Sequence, residues 1–184
     1  YAIVIDEWFL GAYMEKAKAL EKLKKYEEAI VCYNHTLELD DPTAFAYMRI
    51  GKCYEKLLNR DLALKYYRKS VAEDPLLEKG WCAIIDMYAK EQKYKRALSY
   101  VNKALDIDEQ NEQYWKRFGS LNYTLGNYED AYIGYEKSIL FGSLDLDVFL
   151  VFADMNIVVE DYAKAVEMLV QYAEIYPGHH EIEY

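Results

Sequence analysis

The sequence predicts an all-α solenoid of about five tandem helix-turn-helix units, with partial units at both ends. Three observations predict it. Ala29, Ala63, Ala97, Ala131 and Ala165 stand 34 residues apart without a slip, and a fixed interval of that length marks one supersecondary unit copied along the chain. Each alanine is followed four residues later by Tyr33, Tyr67, Val101, Tyr135 or Leu169, and preceded sixteen residues earlier by Tyr13, Tyr47, Trp81, Trp115 or Phe149. Prolines recur at the joints, in Asp41-Pro42, Asp74-Pro75 and Tyr176-Pro177, where a residue that cannot continue a helix separates one copy from the next.

The units follow in order. Residues 1–9 read as the end of a preceding unit's second helix. In residues 10–43, Tyr13 and the small Ala17 precede a Leu23-Lys24-Lys25-Tyr26 turn, then Ala29 and Tyr33. Residues 44–77 carry Tyr47, Ile50-Gly51, Tyr54, Leu57, Ala63, Tyr67 and Pro75. Residues 78–111 keep Trp81, Tyr94, Ala97 and Val101, with Ile85 at the small position. Residues 112–145 hold Trp115, Phe118-Gly119, Leu125-Gly126, Tyr128, Ala131 and Tyr135. Residues 146–179 repeat the scheme with Phe149, Ala153, Tyr162, Ala165 and Leu169, and residues 180–184 begin a further unit. Spacings of three and four put Tyr128, Ala131 and Tyr135 on one helical stripe. A small residue facing a large one lets two helix axes approach closely.

This pattern resembles the tetratricopeptide repeat (TPR) family, and the resemblance spans nearly the whole chain. It implies a right-handed superhelix whose first helices line a concave, protein-binding side. Departures are Glu109 and Ser143 where the joint proline is usual, Ile85 for the glycine, and Lys16 for an apolar residue.

Composition narrows the function. A net charge of −10, from 22 basic and 32 acidic residues, argues against nucleic-acid binding, which needs a cationic footprint. No apolar run approaches the ~18–20 residues of a membrane span. Three cysteines, Cys32, Cys53 and Cys82, have no paired spacing and suggest a reducing, cytoplasmic setting. Tyr1 is not an initiator methionine, and both ends read as a window cut from a longer array.

Catalytic signals are thin: there is no nucleophile elbow, no glycine-rich phosphate loop and no cofactor motif. His179-His180 with Glu181 and Glu183 carry metal-ligand chemistry, but adjacent histidines rarely face one ion. His35 reads as an ordinary helix residue. The expectation is a non-enzyme without metal or cofactor. Most of the twenty tyrosines fall at packing positions; Tyr123 stands one residue past the usual core aromatic, where Asn122 is, and is expected to turn outward.

The non-core positions of the first helices form columns. Lys18 and Lys52 lead one that continues with Asp86, Ser120 and Asp154; Lys22, Lys56 and Lys90 lead a second, which ends in Thr124 and Val158. A third runs Met14, Met48, Cys82, Lys116 and Leu150, and a fourth Gly11, Phe45, Lys79, Gln113 and Asp147. Some TPR proteins clamp a C-terminal carboxylate through a Lys, Asn, Asn, Lys, Arg set, but Met14, Lys18, Arg49, Lys79 and Ala83, or Met48, Lys52, Ala83, Gln113 and Arg117 one copy later, stand at those places and lack the asparagines. The expected partner-binding set is therefore Phe45, Met48, Lys52, Lys56, Lys79, Cys82, Asp86, Lys116, Ser120, Tyr123, Leu150 and Asp154. Lysines in early columns would orient a protein or peptide partner with an acidic segment. The stretch Val148–Val159 is apolar nearly all round, so Leu150, Val151, Ile157 and Val158 need a cover. A following unit, a partner or a second copy would supply one. The expected role is a scaffold or adaptor. The alternatives are a homo-oligomerising module, or a recruiting array attached to a catalytic domain elsewhere.

Overall fold

The computed structural model describes residues 2–39 and 43–175, with side chains from residue 10 onward. Among them lie ten helices and no strand: α1 (Ala2–Lys22), α2 (Tyr26–Leu39), α3 (Ala44–Lys56), α4 (Arg60–Glu73), α5 (Glu78–Lys90), α6 (Tyr94–Leu105), α7 (Glu112–Leu125), α8 (Tyr128–Leu140), α9 (Leu146–Val158) and α10 (Tyr162–Ile175). They fall into two units, residues 1–87 and 88–184, whose boundary lies within α5. In the first, α1 packs on α2 and α3 on α4, and α2 adjoins α3; in the second, α7 packs on α8 and α9 on α10, with α6 against α7 and α8 against α9.

The 34-residue period reappears in the backbone. Lys24, Leu58, Gln92, Gly126 and Glu160 end successive first helices, with φ of 61°, 59°, 58°, 80° and 63°. The amide of the residue after each of these bonds back across five residues, as from Asn59 to the Tyr54 carbonyl (2.9 Å) and from Asp161 to that of Asn156 (2.8 Å). This left-handed C-terminal turn satisfies carbonyls that the ending helix would orphan. Only the fourth copy uses glycine there. Gly126→Ala should therefore destabilise the fold by about 1 kcal/mol. Leu58→Gly, at a residue 90% exposed, should change stability in the opposite sense by about half that. Urea midpoints of the two variants check the pair.

The small-against-large expectation describes the hairpin cores. Ala29, Ala63, Ala97 and Ala131 are wholly buried, and Ala165 nearly so. A Cβ on Gly51 would meet the Tyr67 ring at 2.7 Å, and one on Gly119 would come within 3.2 Å of the Tyr135 ring. The buried tyrosines keep their hydroxyls satisfied: Tyr33 donates to Glu21 Oε1 (2.6 Å) and, one copy on, Tyr67 donates to Glu55 Oε2 (2.8 Å). Arg49 of α3 closes the first of these, with its Nε 2.8 Å from Glu21 Oε1 and 3.2 Å from the Tyr33 hydroxyl. A guanidinium, a carboxylate and a phenol thus pin α1, α2 and α3 together.

One expectation is corrected here. No joint separates residues 1–9 from the first unit, because α1 runs unbroken from Ala2 to Lys22. Residues 7–12 (Glu-Trp-Phe-Leu-Gly-Ala) contain no proline and no capping side chain, whereas Thr43, Asn111 and Asp145 cap α3, α7 and α9, so nothing stops the helix. Tyr128 shares the α8 stripe of Ala131 and Tyr135 but, as the first residue of the helix, is 61% exposed where those two are buried. The expected further unit at 180–184, the His179-His180 cluster and the Asp41-Pro42 joint lie outside the described residues.

Candidate binding surfaces

The first unit carries a small basic cleft of about 270 Å³ at the C-terminal ends of α1 and α3. Lys22, Lys52, Lys56 and Arg49 line it with Glu21, Tyr26 and Cys53. Arg49 already serves Glu21 and Tyr33. Burial works to lower its pKa, but those two partners more than offset this and hold it above the ordinary guanidinium value. Lys22 and Lys56 stand in the last turns of their helices, where a cation also complements the helix dipole. Cys53 beneath them is buried, which pushes its thiol up to about 12, with the Glu21 carboxylate adding; it is no nucleophile at neutral pH.

The second unit carries a larger, mostly apolar groove of about 700 Å³. Its walls are Tyr123 at the end of α7, Tyr128, Glu129, Tyr132 and Ile133 on the first turns of α8, Asp154, Met155 and Val158 on α9, and Val159 beyond it. A local change in the repeat lies beside it. In the second and third copies the α-helix pair is wedged by stacked tyrosines, Tyr54 on Tyr66 (5.5 Å, 21°) and Tyr88 on Tyr100 (5.4 Å, 19°). In the fourth copy the same places hold Asn122 and Gly134. Without that wedge α7 and α8 close until a Cβ on Gly134 would lie 2.5 Å from the Gly119 nitrogen. Asn122 and Asn156 are buried and donate to the Phe118 and Phe152 carbonyls four residues back (3.1 and 2.7 Å), each replacing an aromatic with a self-satisfied amide.

The groove's aromatic rings take up charge as well as apolar surface. Lys164 Nζ donates to the Tyr132 hydroxyl (2.8 Å) and to Glu136 Oε1 (2.6 Å), and stands 5.1 Å and 5.3 Å from the Tyr132 and Phe152 ring centres. Burial works to lower the Lys164 pKa, but Glu136 and Tyr132 hold it above the ordinary lysine value. Tyr132 also donates to Asn156 Oδ1 (3.0 Å), which ties α8 to α9 at the groove floor.

The structure sorts the twelve predicted binding residues. Tyr123 and Asp154 meet in the apolar groove, and Lys52 and Lys56 in the basic cleft. Phe45 is exposed, with Lys18 and Arg49 over its ring at 5.8 Å each. Lys79 and Ser120 are exposed, Asp86 is half-buried, and Leu150 is exposed but lies outside the groove. Lys116 is held by the Asp145 carboxylate that caps α9. Met48 and Cys82 are buried and are corrected to packing residues: in these two copies the column position is covered, and an apolar side chain there escapes water, whereas Leu150 in the same column stays exposed. Sequence reasoning missed Tyr128, Glu129, Tyr132, Ile133, Met155 and Val159 because it read columns on first helices, whereas much of this wall belongs to a second helix. The signal available was Gly134, at the 34-residue place of Tyr66 and Tyr100.

Among the described residues, no group of His, Cys, Asp and Glu is placed to hold a metal ion, and no helix is long and apolar enough to cross a membrane.

Comparison with solved structures places this architecture. PilF of Pseudomonas aeruginosa superposes with a TM-score of 0.73 at 19% identity, over 92% of this chain and 77% of its own. MamA of Desulfovibrio magneticus RS-1 does so at 0.69 and 13%, over 94% and 97%. YrrB, described as a TPR protein with an unusual peptide-binding site, does so at 0.62 and 23%, over 91% and 86%. At these identities the likeness is one of fold. No curated protein sequence matches the chain. Sequence profiles of the tetratricopeptide repeat match residues 10–42, 45–76 and 79–111, and with the turn and core geometry recurring every 34 residues the chain belongs to the tetratricopeptide repeat family.

Proposed function

We infer that the chain is a protein-interaction array, without catalysis of its own, that receives an apolar peptide or helix of a partner in the groove formed by α7, α8 and α9. The observation that carries this reading is the groove itself. Tyrosine, isoleucine and valine side chains stand open to water there, and Val158 and Val159 are 81% and 65% exposed. Apolar surface gathered in a concavity of this size is the usual form of a recognition site, and aromatic anchors supply most of the energy when it is filled. A helix laid in such a groove would present side chains at i, i+3 and i+4. The basic cleft of the first unit offers a separate place for an acidic segment.

The test is selection of peptides against the purified chain, followed by affinity measurement on variants. Val158→Asp should weaken the selected apolar peptides at least ten-fold while leaving the melting curve unchanged, because the side chain is solvated. Lys52→Glu with Lys56→Glu should leave them unaffected unless they carry an acidic stretch. Peptides whose binding ignores Val158→Asp would refute the groove reading. A chain that sediments as a dimer, and as a monomer once Val158 is replaced, would instead support self-association through this surface.

A further inference from the structure

The geometry points to a cation-recognising corner within that groove, in which Tyr123 and Tyr128 with the carboxylates of Glu129 and Asp154 receive the ammonium head of a lysine side chain on the bound segment. This rests on the groove being a peptide site and names the chemistry of its anchor. Tyr123 and Tyr128 meet edge to face, with ring centres 5.6 Å apart and planes at 76°. Their residues are 48% and 61% exposed, although tyrosine rings in this chain otherwise serve mainly as packing. An edge-to-face pair this exposed still offers ring face to a small cation, which the ring quadrupole attracts.

Charge points the same way. All lining residues of the groove are aromatic, aliphatic or acidic, and Glu129 and Asp154 make no ion pair among the described residues. A neutral apolar occupant would bring those carboxylates near low-dielectric surface without compensation, whereas an ammonium would neutralise them. The molecule also contains its own precedent on the next turn of α8: the Lys164 ammonium lies 5.3 Å from the Phe152 ring centre, donates to the Tyr132 hydroxyl (2.8 Å) and has the Glu136 carboxylate 2.6 Å away. The Tyr123–Tyr128 corner repeats that combination of ring and carboxylate with the cation's place left to an incoming group.

The experiment uses the full chain with carbon-13-labelled tyrosine, titrated in parallel with choline and with 3,3-dimethyl-1-butanol, its uncharged isostere. Choline should shift the Tyr123 and Tyr128 ring resonances saturably in the millimolar range, and the isostere should bind at least five-fold more weakly. Tyr123→Leu, and separately Glu129→Gln with Asp154→Asn, should each lower choline affinity five-fold or more with unchanged melting. Equal binding of the two probes, or no choline shift at those rings, would overturn the cation site. Because this titration needs no peptide, its failure beside Val158-dependent peptide binding leaves the groove reading standing. Choline binding beside a failed peptide selection would uphold the corner and remove the peptide.

Discussion

Replacing Gly134 with alanine is expected to destabilise the protein by about 3 kcal/mol, near the top of the overpacking range. In an isolated helix the same change would stabilise by about 1 kcal/mol, since alanine is the better helix former, so the sign itself is diagnostic. The penalty comes from the crossing of α7 and α8. The new Cβ would stand 2.5 Å from the nitrogen and 2.6 Å from the Cα of Gly119. These are backbone atoms, and no rotamer change can move them aside; the two helices must separate and lose the contacts around Ala131 and Tyr135. Gly11, in α1, provides the contrast. Nothing lies within 4 Å of a Cβ placed there, so Gly11→Ala should stabilise by about 0.5–1 kcal/mol. Urea unfolding of both variants, followed by circular dichroism, gives the two signs. A stabilised Gly134→Ala protein would mean that the helices do not meet there.

Replacing Glu21 with alanine is expected to cost about 2–3 kcal/mol, because it strands the Arg49 guanidinium and the Tyr33 hydroxyl in a largely buried place. The Glu21 and Arg49 side chains are only 9% and 22% exposed, which keeps the pair from being screened as a surface ion pair would be. Glu21→Gln keeps an acceptor for Tyr33 and should cost about half as much. In a cycle with Tyr33→Phe the effects should be non-additive, since one network is being removed twice. The network also shapes the alkaline limb of stability. Burial, with the Glu21 hydrogen bond adding, raises the Tyr33 pKa above its ordinary value of 10.0. The Cys53 thiol is raised from 9.0 to about 12. Groups whose folded pKa is raised contribute stability that is intact below the unfolded value and is lost as pH climbs towards the folded one. Stability should therefore begin to fall above pH 9 and fall more steeply above pH 10. Glu21→Ala should soften the steeper part, because one cause of the Tyr33 shift is gone.

The residues that carry the period were legible because their role is local. An alanine at the hairpin crossing, a tyrosine one turn later and a turn after the first helix are demanded by two helices packing on each other, and each copy repeats the demand. The candidate site was legible only in part. Tyr123 stood out because Asn122 occupies the core place beside it, and Asp154 because it ends the first-helix column that Lys18 and Lys52 lead. Met48 and Cys82 looked like surface positions by column, yet are buried, because whether a column faces solvent depends on how closely the next helix pair approaches. Lys116 looked available, yet the Asp145 that caps α9 holds it. The α8 wall escaped because the reading took one helix of each pair as the binding side.

By itself, then, the chain's order of residues determined the helix pairs, their 34-residue interval, the alanine and tyrosine cores and the family, all consequences of spacing along one helix or between two helices joined by a short turn. Tertiary structure alone decided which of those helices lie close enough to touch without a wedge, which carboxylate meets Arg49 across from α1 to α3, and where apolar side chains remain uncovered. Those outcomes depend on distances between separate helices. Sequence periodicity specifies which face a residue occupies, but the gap across which that face looks is set by the side chains of every neighbour together.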